Sequence, residues 1–104
     1  MAAISGSDVR RLIIACEAGM GSSVMVANMI AKQLKGLDVK VTHSPVNQLL
    51  DADPSVVVCH RGLAARAKQA VPEVPVIAFD MFLGDPRIAA VIAAIKDDTV
   101  LSDD

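Results

Sequence analysis

Short apolar runs that each lead into a segment of helical period constrain this chain more than any other feature. Ser55-Val56-Val57-Val58-Cys59 is continuous and apolar, the pattern of a strand covered on both faces. Arg11 to Cys16 reads the same way, and Val74 to Phe79 gives another strand, introduced by Pro72 and Pro75. Val39 to His43 differs: Val39 and Val41 alternate with Lys40 and Thr42, as expected near a sheet edge. Between the strands the period changes. From Ser22 to Lys35 the residues Val26, Ala27, Ile30, Ala31 and Leu34 share one helical face, with Asn28, Lys32 and Lys35 opposite and Gly36 as a stop. Ser44-Pro45 is placed to cap a short helical turn through Leu50. Leu63 to Val71 is a second helix, and Asp85-Pro86 supplies the cap and first turn of a last one, with Ile88, Val91, Ile92 and Ile95 inward. Strand–helix alternation implies right-handed crossovers. The expected fold is therefore α/β: a small four-stranded parallel sheet, doubly wound and Rossmann-like, with about three flanking helices.

At 104 residues the chain is expected to be one domain, with a core over residues 10–96 and solvated, flexible tails at both ends (Met1 to Asp8 and Asp97 to Asp104). Hydrophobic residues make up 53% and aromatics 2%, so the core must be built from Val, Ile, Leu, Ala and Met. A net charge of −2 without a basic stripe argues against a nucleic-acid partner. No apolar stretch approaches a membrane span and the start carries no leader pattern, so the expectation is a cytoplasmic protein. Its two cysteines, Cys16 and Cys59, are read as reduced thiols and not as a disulfide or metal site.

In a doubly wound sheet, ligands bind beyond the carboxyl ends of the strands, close to a switch in strand order. Cys16 ends the first strand there. It runs into Glu17-Ala18-Gly19-Met20-Gly21-Ser22-Ser23 and then a helix. Successive main-chain N–H groups in such a loop form a concave nest for phosphate oxygens, and the helix N-terminus adds partial positive charge. The same field favours the thiolate of a sulfur placed in it. A nucleophilic sulfur in a phosphate cradle points to a phosphoryl group carried as phosphocysteine. The structural alternative for Cys16 is a small core hydrophobe. Packing alone does not call for two glycines and two serines in this register.

The residues Ile14-Ala15-Cys16-Glu17-Ala18-Gly19-Met20-Gly21-Ser22-Ser23 resemble the phosphocysteine loop of IIB components of the bacterial phosphoenolpyruvate-dependent sugar phosphotransferase system. The likeness is to the mannitol-type branch, and it continues through Ser44 to Asn47, His60-Arg61 and the Phe82-Leu83 region. The resemblance implies a transferase component in which Cys16 takes phosphate from a phosphohistidine on a IIA protein. Cys16 would pass it to a sugar or sugar alcohol at a membrane IIC transporter, with which the protein associates transiently. Glu17 to Ser23 would hold the phosphoryl oxygens, and no cofactor is implied. Two departures bear on the substrate. Glu17 stands where the mannitol branch usually has aspartate, and Cys59 where it often has a hydroxyl residue.

Two further readings stay open. A low-molecular-weight phosphatase or arsenate-reductase relative has a similar cradle, but its loop ends in an arginine six residues after the cysteine, and that position here is Ser22. A phosphorylation-sensing module would need an output domain, and none is present in these residues. His60 and Arg61 are auxiliary candidates. His60 is a ligand or relay against an ordinary strand end, and Arg61 a charge partner for phosphocysteine against a solvated cap. Met20, Val24 and Met25 are candidates for an apolar docking rim, while Met29 is read as core. Asp80 to Asp85 is read as a surface loop beside the site, and His43 as a polar strand end without metal-ligand spacing.

Overall fold

The computed structural model describes residues 2–16, 21–81 and 84–102, with the backbone alone for residues 21–23. In chain order the elements are β1 (Ala3–Ser5), β2 (Arg11–Cys16), α1 (Gly21–Gln33), β3 (Lys40–Pro45), α2 (Leu49–Ala52), β4 (Val56–His60), α3 (Ala64–Ala70), β5 (Val76–Phe79), α4 (Pro86–Asp97) and β6 (Val100–Ser102). Single 3-10 turns at Gly6–Asp8, Val46–Gln48 and Arg61–Leu63 join them.

The main sheet has strand order β3-β2-β4-β5 and every pairing in it is parallel. Period-2 alternation divides its side chains between two layers. Leu12, Ile14, Val56, Val58, Ile77 and Phe79 face α1 and α4, whose Val26, Ala27, Ile30, Leu34, Ile88, Val91, Ala94 and Ile95 complete one core. Ile13, Ala15, Val57, Cys59 and Val76 face the opposite way, under Val46, Leu49, Ala67 and Val71. Strands covered on both sides are apolar at consecutive positions, which is why β4 reads as an unbroken run. β3 lies at the edge, and its lysine, threonine and histidine follow from that position.

The expected fold holds, with a fourth, four-residue helix (α2) beside three longer ones. Three local expectations need correction. Ala31 is exposed, because it lies at the margin of the apolar stripe on α1. The edge strand runs to Pro45 and not to His43, since Ser44 and Pro45 continue the pairing with Ala15 and Cys16. Ser44 therefore caps nothing: its hydroxyl donates to the Pro45 carbonyl at 3.1 Å.

The largest correction concerns the terminal segments. β1 pairs antiparallel with β6 as a separate two-stranded sheet, with Ile4 opposite Leu101. Asp98, at φ 55°, ends α4 in the left-handed region and turns the chain back. Its carboxylate accepts the Ser7 N–H at 2.9 Å, and Gly6 N–H donates to the Thr99 carbonyl at 2.9 Å. Gly6 lies against the end of α4: a Cβ there would fall on the Ala94 carbonyl and within 2.9 Å of Ile95 Cα. These segments are packed, and Leu101 is buried.

Candidate functional site

The chain passes from β2 outward to β3 by way of α1, then returns across β2 to β4 by way of α2. The switch in strand order thus falls between β2 and β4. The connections after these two strands leave on opposite faces of the sheet, α1 on one and α3 on the other. They open a crevice at the carboxyl edge, where this topology places ligands. Cys16 and His60 are the last residues of the two strands.

Cys16 is buried, and its Sγ donates to the Ser44 carbonyl of the edge strand at 3.5 Å. Glu17, Ala18, Gly19 and Met20 lie outside the described residues. Gly21, Ser22 and Ser23 form the first turn of α1, so the helix begins five residues after the cysteine. Val24 and Met25 follow on an exposed part of that helix, at 37% and 44% exposure, while Met29 packs against the core. Met81, also exposed, follows β5 at the same edge.

His60 closes β4 and caps the turn after it: the Gly62 N–H donates to His60 Nδ1 at 3.2 Å. Its ring meets Phe79 edge to face, with centroids 5.9 Å apart. Arg61 is gripped side-on by Asp80, with Nε 2.7 Å from Oδ1 and Nη2 3.4 Å from Oδ2. This hydrogen bond and the guanidinium charge hold the Asp80 carboxyl below its ordinary value. Asp85 lies beneath. Its buried carboxylate accepts the N–H groups of Asp80 at 2.7 Å, Met81 at 2.9 Å and Arg87 at 2.7 Å. Burial pushes its protonation upward, but the three donors outweigh burial and hold Asp85 low. The cap expected at Asp85 is present, and it also fixes the backbone of the loop carrying Asp80.

The sequence reading missed two partners, Ser44 O for Cys16 and Asp80 for Arg61. For the second a signal existed, since a base one residue past one parallel strand faced an acid one residue past its neighbour. For the first there was none, because every residue has a carbonyl. Cys59 lies on the other face of the sheet from Cys16, and burial raises its thiol from 9.0 to about 11, with the Lys68 charge acting weakly the other way. His43 is exposed on the edge strand. Among the described residues no cluster of His, Cys, Asp or Glu suits a metal ion, and no helix is long and apolar enough to cross a membrane.

A family model described as "PTS system, Lactose/Cellobiose specific IIB subunit" matches residues 11–94. The mannitol-specific EIICB component of Bacillus subtilis (strain 168) is 37% identical over 95 residues, covering 89% of this chain and 20% of that protein. The corresponding component of Staphylococcus saprophyticus is 40% identical over 93 residues, covering 86% of this chain and 18% of that protein. The mannitol-specific cryptic EIICB component of Escherichia coli (strain K12) is 39% identical over 88 residues, covering 83% of this chain and 19% of that protein. The chain thus spans about a fifth of the length of these curated relatives.

Proposed function

Because the chain belongs to the lactose/cellobiose-type IIB family of the sugar phosphotransferase system, and is thereby a transferase component of it, we propose that Cys16 is its phosphoryl carrier. In the first half-reaction the Cys16 thiolate attacks the phosphorus of a phosphohistidine on a IIA protein. The S–P bond forms from the sulfur electron pair, the N–P bond breaks, and its pair returns to the imidazole of the donor. In the second, a hydroxyl of the sugar or sugar alcohol attacks the same phosphorus, the S–P pair returns to sulfur, and the hydroxyl proton leaves to a base or water. The two steps make a ping-pong cycle through S-phosphocysteine.

One observation carries the reading: Cys16 is the last residue of β2, at the switch point of the sheet, five residues before the start of a thirteen-residue helix. Phosphoryl transfer needs charge stabilisation and alignment more than covalent help from protein groups. The backbone N–H groups from Glu17 to Ser23, with the Ser22 and Ser23 hydroxyls, are the proposed cradle for the three outer oxygens. Serine at position 22, in place of a bidentate arginine, favours storing the group over hydrolysing it.

The relatives are named mannitol-specific EIICB components, so the acceptor side of this domain is proposed to meet a membrane IIC partner from the cytoplasm. Their name makes mannitol the first substrate to assay. The test is direct. Incubate the chain with the general phosphotransferase proteins, a mannitol-type IIA protein and labelled phosphoenolpyruvate. Wild type takes up one label that is discharged by membranes carrying IIC and sugar, and Cys16→Ser takes up none. Label persisting in Cys16→Ser overturns the assignment. So does wild-type turnover of p-nitrophenyl phosphate at about 1 per second or more, an ordinary enzyme rate, if Cys16→Ser abolishes it.

A further inference from the structure

A row of three side chains crosses the carboxyl edge of the main sheet. β2 and β4 are parallel with Ile14 opposite Val58. Two residues beyond that last pair, Cys16 and His60 end the two strands. Both are in phase with Leu12, Ile14, Val56 and Val58, which face α1 and α4, so alternation directs both side chains to that face. Phe79, the register partner of His60 on β5, lies on it too and presses edge to face on the His60 ring. The imidazole and Cys16 therefore end neighbouring strands on the same face of the sheet, on either side of the crevice between β2 and β4, with Phe79 against the imidazole and the Cys16 thiol hydrogen-bonded to the Ser44 carbonyl.

The tautomer of that ring is fixed by its own turn. Nδ1 accepts the Gly62 N–H, and a ring nitrogen that accepts a hydrogen bond carries no proton. A neutral imidazole that accepts at Nδ1 has its N–H at Nε2, the nitrogen farther from the backbone. His60 is thus built as a donor at its tip and an acceptor at its base.

We propose that His60 donates its Nε2–H to a non-bridging oxygen of the phosphoryl group on Cys16, and that the Gly62 N–H sets the tautomer that makes this donation available. The inference rests on the reading of Cys16 as the carrier. The proton stays on Nε2 throughout, and His60 forms no bond to phosphorus. The covalent changes remain those at Sγ. A fixed donor aimed at an oxygen that gains charge contributes about 100-fold or more in rate where such donors have been removed one at a time. Here it shares the load with the loop N–H groups, so a loss of about 10- to 100-fold is expected.

Two near-isosteric variants separate donation from turn capping. In His60→Asn the amide oxygen occupies the place of Nδ1, so the Gly62 partner is kept and the tip donor is lost. In His60→Gln the amide nitrogen reaches the place of Nε2, so the donor is kept and the cap is lost. With phosphorylated IIA protein as donor, Asn is expected to slow phosphocysteine formation at least tenfold, with a urea midpoint lowered only by loss of the Phe79 contact. Gln is expected to stay within about threefold while its midpoint falls. The 31P resonance of phosphocysteine should move in Asn and not in Gln. Nitrogen-15 spectra of wild-type protein should show the proton of His60 on Nε2. The reverse ordering of the two variants, or a proton on Nδ1, overturns the proposal. If wild type forms phosphocysteine and both variants match its rate, this inference alone fails. If wild type forms none, the carrier reading fails and takes this one with it.

Discussion

Cys16 ends β2, Cys59 is the penultimate residue of the neighbouring parallel strand β4, and the two project to opposite faces of the sheet. Cys59 shares its face with Ile13, Ala15 and Val57, whereas Cys16 is in phase with Leu12 and Ile14. A disulfide requires Cβ atoms that point toward each other. Mild oxidation with diamide is therefore expected to give no intramolecular bond in the folded chain, and a thiol count after unfolding should recover both sulfurs. A Cys16–Cys59 crosslink formed under native conditions would contradict this placement.

Burial of Cys59 has a consequence at high pH. Its thiol is raised from 9.0 to about 11, so the folded chain holds a proton that the unfolded chain has already released. This contribution is complete below pH 9 and is lost as the pH rises towards 11, with a span of about 2–3 kcal/mol. Cys59→Ala should lower stability at pH 7 through the lost packing, and it should flatten the fall between pH 9 and 11. Urea midpoints of the two proteins across that range decide the matter; parallel curves would mean that the thiol is not desolvated.

Asp85 acts in the opposite direction. Three backbone N–H groups hold its carboxylate below 3.8 despite burial, so its contribution is present above that value and lost as the pH falls through the lowered one. Asp85→Ala should cost about 1–2 kcal/mol, as a helix cap with extra donors does. The loss should shrink on acidification. Since the same carboxylate fixes the Asp80 and Met81 backbone, hydrogen exchange at those two amides should accelerate in the variant. Unchanged exchange would mean that the loop is held by other contacts.

Gly6→Ala separates packed terminal segments from solvated ones. With the Cβ directed at the Ala94 carbonyl, the terminal sheet must shift from α4. The expected cost is about 1–3 kcal/mol, the range for overpacking. A thermal midpoint equal to wild type would mean that the contact between Gly6 and α4 does not form.

The apolar runs at 12–16, 56–59 and 76–79, with the helical stripes between them, determined a parallel doubly wound sheet. A buried face and a period are local properties that survive in the order of residues. Local too was the chemistry of the Cys16 segment, because a loop between a strand and a helix is contiguous in sequence. Tertiary structure decided the rest. The three-residue strands β1 and β6 are too short for a period to show, and each finds its partner nearly a whole chain length away. Whether Ser44 capped a turn or extended an edge strand depended on β2 lying beside it. That Cys16 and His60 end neighbouring strands came from the pairing of β2 with β4, and the cap on the turn after His60 from one backbone N–H two residues on. Register and hydrogen-bond direction are relations between segments, set by how the sheet closes on its core, and no single segment encodes them.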